Sequence, residues 1–404
     1  MSTILELIQK ETLRQAQSIR LIASENYASQ DILTALGSSL TNKYSEGYPY
    51  HRYYEGQEYI DEIETLAIES AKKLFGAQFA NVQAYSGSPA NLAVYFALLE
   101  PHDTILGLSL PSGGHLTHGH KVSISGKWLN SISYGLNPEG HINYEELESL
   151  AREHKPKIII SGHSAYTRQV DFKRIGDIAK SIGAYHLADI SHISGLVATG
   201  VHPHPFPDAD IITTTTHKVL RGPRGALILT NNPELATKID KAVFPGLQGG
   251  PHNNNIAGIA IALEEALRPE YTEYCKQVIA NAKALGEALK VKGFTLVSGG
   301  TENHLLLVDL RSKNIDGDTL SKALNSVHIE TNKNSIPFDT ASPFKPNGIR
   351  LGTPAITTLG LKETDMEAIA DFINQVVEAI DNTETLAHIK EQVIAFITQF
   401  KQYE

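Results

Sequence analysis

Apolar positions recur at helical spacing in two early stretches of the chain. Ile4, Leu5, Ile8, Leu13, Ala16 and Ile19 mark one side of a helix over residues 4 to 20. That stripe predicts an N-terminal helical arm lying on another surface. A longer pattern runs from Gln57 to Phe75 through Ile60, Ile63, Leu66, Ala67, Ala71 and Leu74, with Gly76 as the expected C-terminal stop. The pattern then changes to short apolar runs: Phe79 to Gln83, Thr104 to Leu108, Lys157 to Ser161, Ala184 to Asp189, Ile211 to Thr214 and Ala226 to Leu229. Helical patterns such as Pro89 to Leu99 and Asp171 to Ile182 fall between them. Apolar strands alternating with helices specify a mostly parallel sheet covered on both faces, an α/β fold.

After the helix-like segment Asn255 to Leu267, Pro269 punctuates the chain and the rhythm changes. Strands are expected at Thr295 to Ser298 and His304 to Val308, and helices at Asp318 to Val327 and Glu363 to Ile380. The division this predicts is an arm over residues 1–50, a large domain over 51–268 and a smaller C-terminal α/β domain over 269–404. No repeat, low-complexity tract or Gly/Ser linker separates the last two, so they are expected to pack tightly.

Composition narrows the functional classes. With 404 residues, 41% hydrophobic and 20% charged, the chain has ample core material, which excludes global disorder and a small stapled module. Thirty-five Lys and Arg against 45 Asp and Glu leave a net charge of -10, which opposes generic attraction to nucleic acid or an anionic membrane. The sole cysteine, Cys275, allows no intrachain disulfide and no cysteine metal cluster, and fits a reducing compartment. The N-terminal segment is too charged for a signal peptide, and no apolar stretch reaches membrane-span length. A cytoplasmic protein without a membrane partner is expected.

Candidate chemistry gathers at predicted strand ends. Tyr85-Ser86-Gly87-Ser88-Pro89 follows a strand and opens a helix, where hydroxyls and unpaired amides can hold a phosphate; an ordinary N-cap and turn reads equally well from this segment alone. Asp189 ends an apolar run, at the strand edge where α/β sheets bind ligands. Lys218 ends the β-branched run Ile211 to Thr216, beside Val219, Arg221 and Arg224, surroundings that favour a neutral amine able to form a Schiff base. Phosphate cup, strand-end Asp and activated Lys are the three parts a pyridoxal phosphate site needs. His115, His118 and His120 raise the question of zinc, but no helix aligns them, and His115 suits a cofactor ring better; no metal site is expected.

The residues also carry a resemblance. LIASEN from 21, LTNKYSEGYP from 40, SGSPANLAVY from 86, GGHLTHG from 113, HISGLVA from 192, TTTTHK from 213, RGPRG from 221, QGGP from 248, NKNSIP from 332 and GIRLGTPA from 348 stand in the order found in serine hydroxymethyltransferases. These are fold-type I, aminotransferase-like pyridoxal 5'-phosphate enzymes that interconvert serine and glycine with tetrahydrofolate as co-substrate. The resemblance implies that Lys218 is the Schiff-base lysine, that Asp189 pairs the pyridine nitrogen and that His115 stacks on the ring. His192 and Ser164 would lie near the phenolic oxygen, and Ser86, Gly87, Ser88 and His217 at the phosphate. Arg350, assisted by Ser24, would bind the amino-acid carboxylate. Glu46 would move protons for the substrate hydroxyl or folate, with Tyr54 in the same pocket. Family homodimers share their sites, so Tyr44, Glu46, Tyr54, Gly249 and Gly250 would serve the neighbour's cofactor and residues 1–50 would include dimer contacts. Tyr53, Leu116 and Asn334 would touch folate.

Several positions depart from the family pattern: Glu55 and Leu247 stand where glycine is usual, Ser191 for alanine, Val219 for threonine and Thr167 for another small residue. Val219 is expected to be the departure nearest the chemistry. With Glu55 it is the only feature leaning toward a folate-independent aldolase or α-methylserine enzyme on the same scaffold. A non-catalytic scaffold or RNA-binding protein is the reading from another class, opposed by the intact lysine, aspartate and arginine and by the acidic balance.

Overall fold

A computed structural model describes residues 2–401. Its central sheet has seven strands: β1 (Phe79–Asn81), β2 (Thr104–Leu108), β3 (Asn130–Tyr134), β4 (Ile158–Gly162), β5 (Tyr185–Asp189), β6 (Ile211–Thr215) and β7 (Ala226–Thr230). The spatial order is β1-β7-β6-β5-β4-β2-β3. β2 to β6 pair in parallel, and β7 runs antiparallel to both its neighbours. β4, β6 and β7 are buried along their whole length, which is why they read as unbroken apolar runs. β3 was not expected: as an edge strand, Asn-Ser-Ile-Ser-Tyr keeps its polar residues half in solvent and shows no apolar run.

The arm is shorter than its apolar stripe suggests. α1 (Thr3–Ala16) ends before Ile19 and Arg20, which instead form a two-residue parallel pairing with Ile329 and Glu330. Pairing buries Ile19 completely, whereas Ile4, Leu5, Ile8 and Leu13 on α1 stay more than half exposed. α2 (Glu58–Phe75) has acids in its first turn, lysines in its last and a left-handed Gly76 at its end, three features that favour the same two boundaries. α3 (Gly87–Leu98), α4 (Phe172–Ile182), capped by Asp171, and α5 (Asn253–Ala266) cover the sheet and complete the expected alternation.

Pro269 opens a helix as well as closing a segment. α6 (Pro269–Val291) carries proline in its first turn, where the missing amide costs nothing. Its first half (Tyr271, Tyr274, Cys275, Val278) packs into the core under the central sheet, and its second half (Leu285, Leu289) into a separate core. That second core lies against an antiparallel sheet ordered β8 (Thr295–Leu296), β9 (Leu305–Asp309), β11 (Gly348–Gly352), β10 (Asn332–Asn334). Met366–Glu378 and Thr383–Ile397 complete the helical cover of this part. Hydrogen bonds tie the two parts, among them one between the Thr167 and Ser298 hydroxyls at 2.6 Å and one from Asn303 Nδ2 to Tyr166 O at 3.0 Å.

Candidate active site

The carboxyl ends of the central strands converge on one cavity of about 180 Å³. β4 leads to His163 and Ser164, β5 to Asp189, Ser191 and His192, and β6 to His217 and Lys218. The loop after β2 supplies His115, and the first turn of α3 supplies Gly87 and Ser88 beside Ser86. Ser86 does not cap α3 with its side chain, so the first-turn amides, the positive end of the helix dipole, have no side-chain acceptor. A Cβ at Gly87 would meet the Thr215 methyl at 2.7 Å; only glycine lets the helix start so close to β6. Across this turn, His217 Nδ1 is buried without a partner, while its Nε2 lies 3.4 Å from Arg224 Nη1.

Asp189 is held by four donors. Asn91 Nδ2 and His118 Nε2 reach Oδ2 at 2.9 and 3.0 Å, and the Ser191 amide and hydroxyl reach Oδ1 at 3.1 and 2.6 Å. Burial alone would raise this carboxyl, but the His118 hydrogen bond and charge, the field of His115 and the Ser191 bond hold it well below the usual carboxylate range. Lys218 Nζ donates to Thr215 Oγ1 at 2.9 Å. Burial lowers its amine to about 8 against the opposing pull of Asp189, with Arg350 and Arg224 adding to the downward push. Burial likewise holds His115 at about 4 and His163 and His217 at about 3, and His192 well below the usual imidazole range. The cavity therefore joins a fixed anion, a reactive amine and neutral imidazoles at neutral pH.

Arg350 approaches from β11 of the second sheet. Its Nη1 donates to Ser164 O at 2.5 Å and its Nε to Asn332 Oδ1 at 3.0 Å, leaving Nη2 without a hydrogen-bond partner among the described residues. Ala23 packs on Gly352, two residues beyond Arg350, and so brings Ser24 to the same strand end. Asn334 lies on β10, register-paired with Gly348.

A second cluster lies outside the cavity lining. Tyr54 OH donates to Glu46 Oε2 at 3.3 Å, and Tyr44 packs edge-on to Tyr54 with ring centres 5.5 Å apart. A Cβ on Gly249 would stand 3.4 Å from Glu46 Oε1, and one on Gly250 3.3 Å from the Tyr44 ring. The Glu46 carboxylate raises the Tyr54 phenol. Tyr53 packs on Phe244 and, like Tyr44, Tyr54 and Leu116, is exposed. Within one chain Glu46, Tyr54, Tyr44, Gly249 and Gly250 form their own patch.

Reading the sequence alone missed His163, Thr215, Asn91 and the bond from His118 to Asp189. Nothing local marks Asn91, which lies on α3; His118 was visible only as one of three closely spaced histidines. Among the described residues, His115, His118 and Asp189 gather ligand atoms within 4.8 Å, but His118 Nε2 already bonds Asp189 and His115 Nδ1 lies 2.7 Å from Thr117 Oγ1. Val219 corrects an expectation. Its side chain is fully buried against Gly195 in the core, and its carbonyl accepts from Tyr271 OH at 2.8 Å, so it does not line the cavity. Lys218 and Val219 are neighbours in the chain, and the loop turns their side chains opposite ways.

Comparison with known proteins decides the family. The family model for serine hydroxymethyltransferase matches residues 2–373. The serine hydroxymethyltransferase of Desulfotalea psychrophila is 56% identical over 397 residues, covering 98% of this chain and 93% of that protein. Those of Acidothermus cellulolyticus and Alkalilimnicola ehrlichii are 54% and 53% identical, covering 97% and 99% of this chain and 92% and 96% of their own lengths. The chain belongs to the serine hydroxymethyltransferase family. Serine hydroxymethyltransferases are fold-type I enzymes that depend on pyridoxal phosphate and use tetrahydrofolate as co-substrate.

The cavity fits that cofactor. The uncapped start of α3, the glycine that a side chain would fill and the orphaned His217 Nδ1 suit a phosphate. Asp189, strongly ionised, suits a protonated pyridine nitrogen, and Lys218, with a depressed amine, suits an aldehyde.

Proposed function

We propose that this chain catalyses reversible transfer of the serine hydroxymethyl carbon to tetrahydrofolate, giving glycine and methylene-tetrahydrofolate. The observation that carries this reading is the union of Lys218 and Asp189 in one cavity of a chain that matches serine hydroxymethyltransferases along nearly its whole length. When bound, pyridoxal phosphate supplies the electron sink that makes cleavage at the amino-acid carbons possible.

The chain's own residues do the rest. Ser86, Gly87, Ser88 and His217 would hold the phosphate, and Asp189 would keep a proton on the ring nitrogen. Lys218, with part of its population neutral near pH 8, would hold the cofactor through its aldehyde, an attachment that needs the free amine. His115, uncharged at neutral pH, would cover the ring without repelling a pyridinium, and Ser164 and His192 would serve the phenolic oxygen. Arg350 directs its free Nη2 to the substrate carboxylate, with Ser24 beside it; a planar guanidinium held at Nε and Nη1 is already oriented for that contact. Glu46 moves the proton of the substrate hydroxyl or folate, and Tyr54 assists. Because Glu46, Tyr54, Tyr44, Gly249 and Gly250 form a patch away from this chain's cavity lining, they serve the site of a second copy in a homodimer. Tyr53, Leu116 and Asn334 receive the folate. The protein works in the cytoplasm, where its buried Cys275 stays reduced. Among the described residues no helix is long and apolar enough to cross a membrane, and the net charge of -10 opposes nucleic-acid binding.

The test is glycine formation from serine with and without tetrahydrofolate, alongside threonine cleavage. Strict dependence on the folate is expected, and equal serine turnover without it would replace this reading by the folate-independent aldolase.

A further inference from the structure

Four donors already contact the Asp189 carboxylate, two of them from Ser191. The Ser191 hydroxyl is bound on its other side as well. It accepts the Thr215 amide at 3.1 Å, and the Thr215 hydroxyl that receives Lys218 Nζ at 2.9 Å lies 3.3 Å from Ser191 O. One hydroxyl thus ties the strand end bearing Asp189 to the strand end leading to Lys218, and Ser191 itself lines the cavity. A ring nitrogen paired with Asp189 meets a carboxylate on which this hydroxyl already holds Oδ1.

Resting on the reading of the cavity as a pyridoxal phosphate site, we propose that Ser191 is a positioning residue that shares Asp189 with the cofactor's ring nitrogen and weakens the carboxylate's hold on the ring proton. The physical reason is charge. A donor on Oδ1 draws off negative charge that would otherwise stabilise the pyridinium, so removing the donor makes Asp189 the stronger partner. The Ser191 amide, Asn91 and His118 still fix the orientation of Asp189 when the hydroxyl is gone, which separates the electrostatic role from simple loss of structure.

The experiment uses the full chain loaded with pyridoxal phosphate labelled with nitrogen-15 in the ring, whose NMR line reports ring protonation directly. The line is followed against pH in the wild type, Ser191→Ala and Ser191→Thr. In Ser191→Ala the pH midpoint of ring deprotonation is expected to rise by about one unit, the scale of one charge-assisted hydrogen bond, and Ser191→Thr should restore the wild-type midpoint. An unchanged midpoint in Ser191→Ala overturns the proposal, as does a wild-type ring that stays protonated up to the alkaline limit of the fold. The same rise in Ser191→Thr would show that side-chain shape, and not the hydroxyl, is responsible, and also overturns it. A wild-type chain that takes up no cofactor refutes the functional reading itself, and the proposal with it.

Discussion

Lys218 and Arg350 occupy the same buried neighbourhood and answer it differently. Burial lowers the amine to about 8 and the guanidinium to about 10, so near neutrality the lysine has a reactive free-base fraction while the arginine stays charged. Arg350→Ala is therefore expected to weaken serine binding by about 1.5–3 kcal/mol, the worth of a charge-assisted contact, seen as a rise in KM larger than the fall in kcat. Arg350→Lys should recover little, because a point charge cannot reproduce the fork held by Asn332 and Ser164; equal serine binding by the two side chains would end the carboxylate role. Glu46→Gln keeps shape and hydrogen bonding but loses the titratable group. Folate-dependent serine turnover should collapse in this variant while cleavage of a β-phenyl hydroxy amino acid, which needs no folate, persists. Parallel loss of both would assign Glu46 to binding or assembly.

Between elements, one buried arginine sets where the Glu46 segment lies. Arg52 donates to Asp61 at 2.8 Å and Glu64 at 2.6 Å on α2, and to the carbonyls of Ser45 and Gly47 at 2.9 Å. It pins the hairpin around Glu46 to the helix. Arg52, Asp61 and Glu64 are all nearly inaccessible to solvent, so Arg52→Met strands two carboxylates and two carbonyls. A loss of about 3–5 kcal/mol in denaturant unfolding is expected, and a change under about 1 kcal/mol would show that water reaches the pair. None of this was legible in the sequence, where nothing local marks Arg52, and Asp61 and Glu64 read as the polar side of a helix. α6 was equally hidden as a connection: the proline at 269 marks a boundary, but only packing shows the helix continuing from one core into the other. We propose residues 51–268 and 269–404 as the two domains, with α6 as the element their cores share.

At the scale of the whole molecule, buried neutral histidines couple stability to pH. His163 and His217 are held at about 3 and His115, His186 and His202 at about 4, each mainly by burial, against about 6.5 in an unfolded chain. Between about pH 6.5 and pH 3–4 the unfolded state binds more protons than the folded one, so their contribution is complete above 6.5 and is lost as the pH falls through that window. Urea unfolding of the cofactor-free protein should show lower stability at pH 5 than at pH 7.5, and a flat profile would mean these imidazoles are solvated. Sharing of sites between copies is tested by mixing. Lys218→Ala and Glu46→Gln should each lack folate-dependent turnover, and subunit exchange between them should restore activity that neither parent has. No recovery in verified mixed dimers would put Glu46 and Lys218 on the same chain's site.

What the sequence determined by itself is whatever a short stretch encodes. Strands buried on both faces write themselves as apolar runs, and a ligand edge follows wherever such a run ends in Asp189 or in His217-Lys218, because the strand's geometry sets the position of its last residue. Tertiary structure decided the contacts between distant segments. Asn91 and His118 reach Asp189 from 98 and 71 positions away, and Ile19 leaves its helical stripe because a pairing with Ile329 buries it fully. Val219 turns into the core while Lys218 turns into the cavity, since the loop's path, fixed by what packs on either side, chooses the face. Glu46 and Tyr54 stand apart from the cavity of their own chain for the same reason: the position of a surface hairpin depends on the helix it is bonded to, and no local pattern of residues specifies that.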